Sequence, residues 1–400
     1  MPFDFKTIES LSDTARNVLN QIQKDGPITK QKIAEQQQLT MSTLNRILAS
    51  LEQENLIITL GVAESSGGRP PLLYDVFPKR YVVGVSFGAL RFNLTITDFK
   101  NRVISDQRFP METSFTPEEF VSHVSSLIFE QLEANHIDAK DVLGIGIGIF
   151  GALDYETGIL TRPIILYLNE HWIGANLCEL FEKATGYICK SDISVNAAAL
   201  TEQYYSMGAG YSNVLYLNCG VTIRAGFASN GRLIRTKDGQ DTAFGHMGIC
   251  IDGERCSCGN YGCVECYSSI HSILKRFLSA SKLGRISSIR KNPTDVTIQD
   301  ICQAAEEGDL LCSELLTHAG MCIGYGLSNY INFLGPEIVI FSGLLMDLSP
   351  LCYETAVETA TKRAVSDNIR FVKANPEYDS IAVGACTILI ENLLTGRLGV

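Results

Sequence analysis

Four side chains that suit a metal ion lie close together in the second half of the sequence. His246 is followed, after nine residues, by Cys256, Cys258 and Cys263. Zinc prefers a tetrahedron of thiolate and imidazole ligands, and four protein ligands make a closed, structural site. The Cys-x-Cys pair and the glycine-containing turn after it allow three sulfur atoms to converge. The sequence therefore predicts one structural zinc ion.

The remaining cysteines are interpreted differently. The chain has 13 cysteines in all, but in a reducing compartment clustered thiols bind metal more often than they form disulfides. Most of the others stand singly in apolar segments and are expected to be small buried hydrophobic residues. Cys250 and Cys266 flank the predicted ligands and are the rival ligands, although neither fits the turn as well.

Length and composition describe an ordinary globular protein. The 400 residues are enough for two or three domains, with 46% hydrophobic and 19% charged residues. Without a bilayer-spanning apolar run or a signal-peptide pattern, we expect a cytoplasmic protein with no membrane partner. The formal net charge of −11 excludes a globally basic nucleic-acid-binding protein. It does not exclude a small DNA-binding domain attached to an acidic one.

Residues 1–78 are predicted to form a winged helix-turn-helix domain. Apolar residues at helical spacing indicate a first helix over about 11–24. Thr29 is the expected N-cap of a second helix, and either Thr40 or Ser42 begins a third. Two short apolar runs around a Gly-Gly-Arg-Pro segment then predict the hairpin called the wing.

This arrangement predicts DNA binding, because it places the third helix in the major groove and the wing beside the minor groove. Charge argues for the alternative, a winged helix used only for protein contacts. Residues 1–75 contain seven Lys/Arg and nine Asp/Glu, a net charge of −2, although phosphate contacts usually dominate affinity. The wing leads us to favour DNA. The predicted DNA-binding residues are Thr40, Ser42, Thr43, Asn45, Arg46 and, at the wing tip, Arg69.

Residues 79–400 are predicted to be an α/β domain. Strand–turn–strand units followed by amphipathic helices indicate mixed sheets. Buried strands are expected over 142–150, 214–217 and 337–342, and helices over 120–134, 297–330 and 381–394.

With these residues in view, the chain resembles the ROK family of repressors and sugar kinases. Gly245-His246, followed by Cys-x-Cys-Gly-x-x-Gly-Cys-x-Glu ending at Glu265, matches the family's zinc motif. The winged helix resembles the repressor branch. The resemblance implies a winged helix followed by a two-lobed, actin-like ATPase (ribonuclease H-like) domain over 79–400, with zinc bound within 246–263. Weaker similarities lie at 143–148, 196–202 and 342–343.

The segments that bind ATP in ROK kinases differ here. An Asp–Gly-Gly-Thr phosphate turn is replaced by residues 86–90, which lack the acid and the threonine. The second phosphate loop corresponds to 220–226, where Ile223 and Arg224 are bulky. Because glycines let backbone N–H groups approach phosphate closely, ATP binding is predicted to be lost. Arg224 is interpreted either as a salt-bridged filler of the empty nucleotide pocket, which we favour, or as a contact for an anionic ligand.

The family's catalytic and sugar-binding residues are also altered. The Asn-Asp pair, whose Asp removes the sugar hydroxyl proton, becomes Ile193-Ser194. Asp192 lies two positions earlier and is expected to point elsewhere, so no catalytic residue and no enzyme activity are predicted. A glutamate three residues before the zinc-binding histidine becomes Ala243. By resemblance, the residues left to bind a ligand are His246, Glu265 and Ser194.

The leading hypothesis is a transcriptional regulator, a repressor, that binds operator DNA as a homodimer or tetramer and senses a sugar or sugar-derived effector. Zinc would hold the loop that carries His246 and Glu265. One alternative is an active ROK sugar kinase with a fused DNA-binding domain. Another is a ligand-free scaffold that only dimerises the winged helix.

Overall fold

The computed structural model describes residues 8, 10–62, 71–88, 91–112, 114–163, 170–236, 239, 243–375 and 378–396. The chain divides into two compact units, and the winged helix belongs to the first. The first unit comprises Met1–Ala197, Lys237–Gly239 and Ile381–Val400, and the second comprises Ala198–Thr236 and Gln240–Ser380.

The winged helix has the predicted order of elements. Thr29 and Thr40 are the N-caps, since their hydroxyl oxygens accept hydrogen bonds from the backbone N–H groups of Lys32 and Thr43, each at 3.3 Å. The wing loop over 63–70, including Arg69, lies outside the described residues. The elements are α1 (Asp13–Asp25), β1 (Ile28–Thr29), α2 (Lys30–Gln37), α3 (Met41–Gln53), β2 (Ile57–Val62) and β3 (Leu72–Val76), and β3 pairs antiparallel with both other strands.

The rest of the first unit is built on a five-stranded mixed sheet in the order β10-β7-β4-β5-β6. The strand β7 pairs in parallel with β4 and β10, whereas β4, β5 and β6 are antiparallel neighbours. The sequence predicted this mixture. The elements are β4 (Tyr81–Phe87), β5 (Arg91–Asp98), β6 (Val103–Pro110), α4 (Pro117–Ala134), β7 (Val142–Ile149), β8 (Gly151–Leu153), β9 (Leu160–Pro163), α5 (Leu177–Thr185) and β10 (Cys189–Ile193).

The second unit contains another five-stranded mixed sheet, in the order β13-β12-β11-β14-β15. The single helical stretch predicted over 297–330 is two helices, because Asp309 caps a new helix with a hydrogen bond from Cys312 N. From Ser194 onward the elements are α6 (Ser194–Tyr205), β11 (Asn213–Cys219), β12 (Ile223–Ser229), β13 (Arg232–Leu233), α7 (Glu265–Ser268), α8 (Ile270–Lys282), α9 (Ile298–Glu306), α10 (Leu310–Leu334), β14 (Ile338–Ser342), α11 (Leu344–Leu348), α12 (Pro350–Arg363), β15 (Arg370–Lys373) and α13 (Ser380–Thr395), and α13 belongs to the first unit from Ile381. The chain passes between the units within α6, on either side of Lys237–Gly239 and at the start of α13.

The winged helix and α13 share one apolar core in the first unit. Buried side chains from both, and from the strands β4 and β7, belong to a single cluster. Polar contacts reinforce it: the Arg16 guanidinium donates to the Leu393 carbonyl oxygen at 2.7 Å, and Lys24 pairs with Glu391 at 3.3 Å. The α13 members of the cluster are Cys386, Leu389, Ile390, Leu393 and Leu394.

Close packing of α13 explains a glycine in the Gly-rich strand β7. A Cβ atom added at Gly146 would lie 1.8 Å from the carbonyl oxygen of Ala385 in α13. The backbones can approach this closely only because glycine has no side chain.

The second unit has its own apolar core. This core lies between its sheet and the helices α8, α9, α10 and α12. Among the residues that the structure describes, no helix is both long enough and apolar enough to cross a membrane.

Candidate metal centre and nucleic-acid interface

The four predicted metal ligands are positioned by a loop with little regular structure. His246 ends a short 3-10 turn, and the loop after it is tied by isolated bridges that join Gly248 to Cys263 and Arg255 to Tyr261. Gly262 has a φ of 68°, and a Cβ atom there would lie 1.7 Å from the Cys250 carbonyl oxygen. The turn therefore requires glycine at this position.

The side chains of these four residues converge as a tetrahedral zinc site requires. Their ligand atoms all lie within 4.8 Å of one another. Cys258 Sγ is 3.8 Å from Cys263 Sγ, and Cys256 Sγ is 3.6 Å from His246 Nδ1. Zinc–ligand distances of about 2.3 Å to sulfur and 2.0–2.1 Å to nitrogen give tetrahedral edges of about 3.8 Å and 3.6 Å. The residues fit zinc.

The Cys263 thiol needs a bound cation to be held as a thiolate. Burial raises the pKa of the Cys263 thiol well above its usual range, and the neighbouring Cys256 and Cys258 raise it further. A bound cation reverses this balance, because metal-bound thiols lose their protons.

The two rival cysteines do not join the group of four converging ligands that the described residues contain. Cys250 is exposed. The Cys266 thiol donates instead to the Glu254 carbonyl oxygen at 3.9 Å.

Of the three predicted ligand-binding residues, His246 and Glu265 lie near each other in the second unit. Glu265 begins α7, and its Oε2 accepts a hydrogen bond from Ile223 N at 3.0 Å. A Cβ atom at Gly245, the residue before His246, would lie 3.0 Å from the same oxygen. Ser194, the first residue of α6, is buried in the first unit.

The segment around Ser194 contains buried polar side chains. The Asp192 side chain is buried, and its Oδ1 accepts a hydrogen bond from Ile193 N at 2.7 Å. The Asn196 amide donates to the Tyr155 hydroxyl at 2.9 Å. Tyr155 was missed at the level of sequence, because no local pattern links it to a residue 41 positions away.

The structure places one residue of the predicted second phosphate loop. Ile223 is the first residue of β12, and its side chain is buried in the core of the second unit. The predicted loss of ATP binding remains a prediction.

The third helix of the winged helix presents a polar face. Its inward side is formed by Leu44, Ile47, Leu48 and Leu51. Asn45 and Arg46 are exposed, as are Thr40 and Ser42, and Thr43 is partly exposed.

The hydroxyl groups at the start of α3 hydrogen bond to one another. The Thr40 hydroxyl lies 3.0 Å from the Thr43 hydroxyl and 3.4 Å from the Ser42 hydroxyl. Lys30, which no sequence pattern singled out, donates from Nζ to Asn45 Oδ1 at 2.8 Å.

Two family models match the chain. The ROK family matches residues 82–392, and a winged helix-turn-helix DNA-binding family matches residues 11–58. Since the ROK match covers most of the chain, the protein belongs to the ROK family.

Similar proteins cover nearly the whole chain. The xylose repressor of Bacillus spizizenii is 26% identical over 382 residues, which is 94% of this chain and 94% of the relative. The DNA-binding transcriptional dual regulator NagC of Escherichia coli K12 is also 26% identical over 382 residues, 94% of this chain and 92% of the relative.

Solved structures show the same fold. A ROK family transcriptional regulator, a homolog of the E. coli MLC protein, has a TM-score of 0.83 at 21% identity and covers 98% of both chains. A ROK hexokinase from Thermus thermophilus has a TM-score of 0.65 at 21% identity, covering 78% of this chain and 98% of its own.

Proposed function

We propose that this protein is a DNA-binding transcriptional regulator, a repressor, that senses a sugar or sugar-derived ligand through its ROK domain. The observation that carries the proposal is the extent of the similarity. Proteins named as a xylose repressor and as a DNA-binding regulator are matched over 94% of this chain, including its winged helix.

The proposed DNA-binding residues are those of the exposed α3 face together with the wing. Asn45 and Arg46 have the side chains that pair with adenine and guanine edges. Ser42 and Thr43 suit either base, and Thr40 suits a phosphate because its hydroxyl already caps the helix. We add Arg69 from its sequence position alone.

DNA binding is tested with the DNA upstream of the protein's own gene and its neighbours. We expect a specific complex at a site containing two related half-sites, weakened by Arg46→Ala and by Arg69→Ala. A protein that binds every duplex equally, with only a salt-sensitive affinity, would contradict the repressor assignment.

The proposed effector-binding residues are His246 and Glu265 in the second unit and Ser194 in the first. We propose that His246 binds zinc through Nδ1, which lies 3.6 Å from Cys256 Sγ, and that its Nε2 contacts a sugar hydroxyl. A thermal-shift screen against pentoses, hexoses, N-acetyl sugars and sugar acids is the test, because a ligand that binds only the folded protein raises its melting temperature. No shift with any compound would favour the scaffold hypothesis.

We propose that zinc at His246, Cys256, Cys258 and Cys263 is structural. Four protein ligands leave no open position for a substrate. Its role would be to fix the loop that joins His246 to Glu265. One zinc ion per chain in the purified protein is the expected stoichiometry.

We propose that the protein is not a kinase. Ser194 stands where the family's general base is expected, and Asp192 is buried with Oδ1 already bonded to Ile193 N. Steady-state ATP turnover with a sugar panel should equal the background rate. Turnover that Asp192→Ala abolishes would overturn this proposal.

We propose a homodimer or tetramer, because two winged helices are needed to read two half-sites. Analytical ultracentrifugation at micromolar concentration tests it, and a protein that stays monomeric both alone and on DNA would contradict it.

A further inference from the structure

The side chain of Asn45 is held by a lysine from another helix. Lys30 is the first residue of α2, and its Nζ donates to Asn45 Oδ1 at 2.8 Å. Asn45 is exposed on the polar face of α3. The contact therefore fixes a side chain on the surface that is proposed to read DNA.

Lys30 has a second contact, with an aromatic ring. Its ammonium group lies 5.5 Å from the centre of the Tyr74 ring. Tyr74 is buried in β3, where it pairs with Ile28 and Thr59. A fixed aromatic ring thus supports the lysine, and the lysine in turn supports the amide.

Helix stability does not account for a lysine at this place. The first turn of a helix favours acidic residues, because its free N–H groups carry partial positive charge. The first turn of α2 contains Lys30 and Lys32 and no acidic residue. The gain from Lys30 must lie in its contacts.

The contact determines which end of the Asn45 amide faces away from Lys30. An asparagine side chain carries one acceptor oxygen and one NH₂ donor, and it can present either after a half-turn. Lysine has only donors, so the oxygen turns toward Lys30 and the NH₂ group turns away. In the major groove, purine N7 and thymine O4 are acceptors, whereas cytosine presents a donor.

We propose that Lys30 is a positioning residue for base recognition. By bonding to the Asn45 oxygen, Lys30 makes Asn45 present its NH₂ group to an acceptor base and reject cytosine at that position. This inference rests on the proposed DNA binding. Lys30 acts through Asn45 and determines specificity without itself contacting a base.

The experiment first selects tight-binding duplexes from a randomised library with the full-length wild-type protein. Lys30→Met keeps the aliphatic stem over Tyr74 and removes the ammonium group. Lys32→Met is the matched control, since Lys32 is exposed on the same helix. Asn45→Ala and the double variant Lys30→Met/Asn45→Ala complete a double-mutant cycle.

We expect Lys30→Met to lower discrimination against cytosine roughly tenfold at one base pair per half-site. Asn45→Ala should relax the same position, and the double variant should show no further loss. The salt dependence of binding should stay as in wild type, and Lys32→Met should keep the base preference.

A different result would overturn the inference. If Lys30→Met weakens binding to all sequences alike and lowers the salt slope by about 0.9, Lys30 is a phosphate contact. Effects of Lys30→Met and Asn45→Ala that simply add would also overturn it, because the two side chains would then act independently. Failure of the proposed function is separate, because wild-type protein would then select no sequence.

Discussion

The winged helix and the metal loop are held in place by different means. The winged helix packs on α13 through a continuous apolar core. The loop from His246 to Cys263, which the structure describes throughout, forms no α-helix or strand. Two isolated bridges and backbone hydrogen bonds, such as that from Ile249 N to Gly262 O, connect its parts, and four candidate metal-ligand atoms converge within it. Burial fixes the first region, and metal coordination is proposed to fix the second. Each should therefore fail under a perturbation that leaves the other intact.

Loss of the metal is the largest expected effect. Cys256→Ser removes one of four ligands, and the zinc content should fall from one ion per chain to nearly none. Structural zinc contributes roughly 10–16 kcal/mol to small zinc domains, so the loop should lose its order. Metal analysis together with hydrogen exchange measures this, with faster exchange over 243–264 and unchanged exchange in α1–α3.

Cys250→Ser is the control, because Cys250 is exposed and does not belong to the converging group. It should keep the full metal content, and a chelator should reproduce the effect of Cys256→Ser. A Cys256→Ser protein with normal stability and a full zinc complement would contradict the comparison.

The apolar core under the winged helix gives the next largest effect. Leu389 in α13 is fully buried in this core, and Leu389→Ala should lower the free energy of unfolding by about 2–5 kcal/mol. Hydrogen exchange should accelerate together in α1 and in β7, because they share the cluster. Zinc content should not change.

Leu310→Ala is the matched control, since Leu310 is 82% exposed on the second unit. It should leave the urea midpoint nearly unchanged. If Leu389→Ala accelerates exchange in β7 but not in α1, the winged helix is not energetically joined to α13.

In both regions the sequence predicted the features that depend on residues close together in the chain. The four candidate zinc ligands lie within 18 residues, and their types and spacing alone indicated the cluster. The caps at Thr29 and Thr40 were equally local, because a cap bonds to a backbone group three residues away.

Long-range partners could not be predicted from the sequence. The apolar pattern indicated that α13 is buried, but a pattern does not say against what. The Lys24–Glu391 pair joins residues 367 positions apart, and Lys30 and Asn45 meet only because α2 and α3 pack together. The burial of Ile223 in the core of the second unit was likewise not predicted, because it depends on the fold.

The Lys24–Glu391 ion pair allows a test of the polar contacts between the winged helix and α13. The Glu391 side chain is 0% exposed and that of Lys24 is 23% exposed. Lys24→Met removes the cation beside a buried carboxylate. In fully buried pairs this lowers the free energy of unfolding by about 3–5 kcal/mol. We expect about 2 kcal/mol here, because water reaches Lys24. Urea denaturation measures the loss.

Lys140→Met, which breaks the exposed pair between Lys140 and Asp138, should change stability little. The double variant of Lys24→Met with Glu391→Gln should recover part of the loss, because the buried charge is gone. Equal stability of Lys24→Met and wild type would show that the apolar contacts alone hold this junction.

A carboxylate in the second unit gives the smallest expected effect. Burial alone would raise the pKa of Asp309, but hydrogen bonds from Cys312 N, Ser288 N and two serine hydroxyls lower it well below its usual range. A carboxyl group whose pKa is lower in the folded state than in the unfolded state stabilises the fold at pH values above its unfolded-state pKa of about 3.9. This stabilisation is lost as the pH falls through the folded-state pKa.

Asp309→Asn keeps an acceptor oxygen but removes the charge, so it should cost about 1 kcal/mol at neutral pH. The deficit relative to wild type should begin to shrink only below about pH 4, because wild type then starts to lose the contribution that the variant never had. Urea denaturation of both proteins, at neutral pH and at about pH 3.5, measures the difference in their free energies of unfolding at each pH. A deficit that stays constant between these values would mean that Asp309 acts as a neutral helix cap.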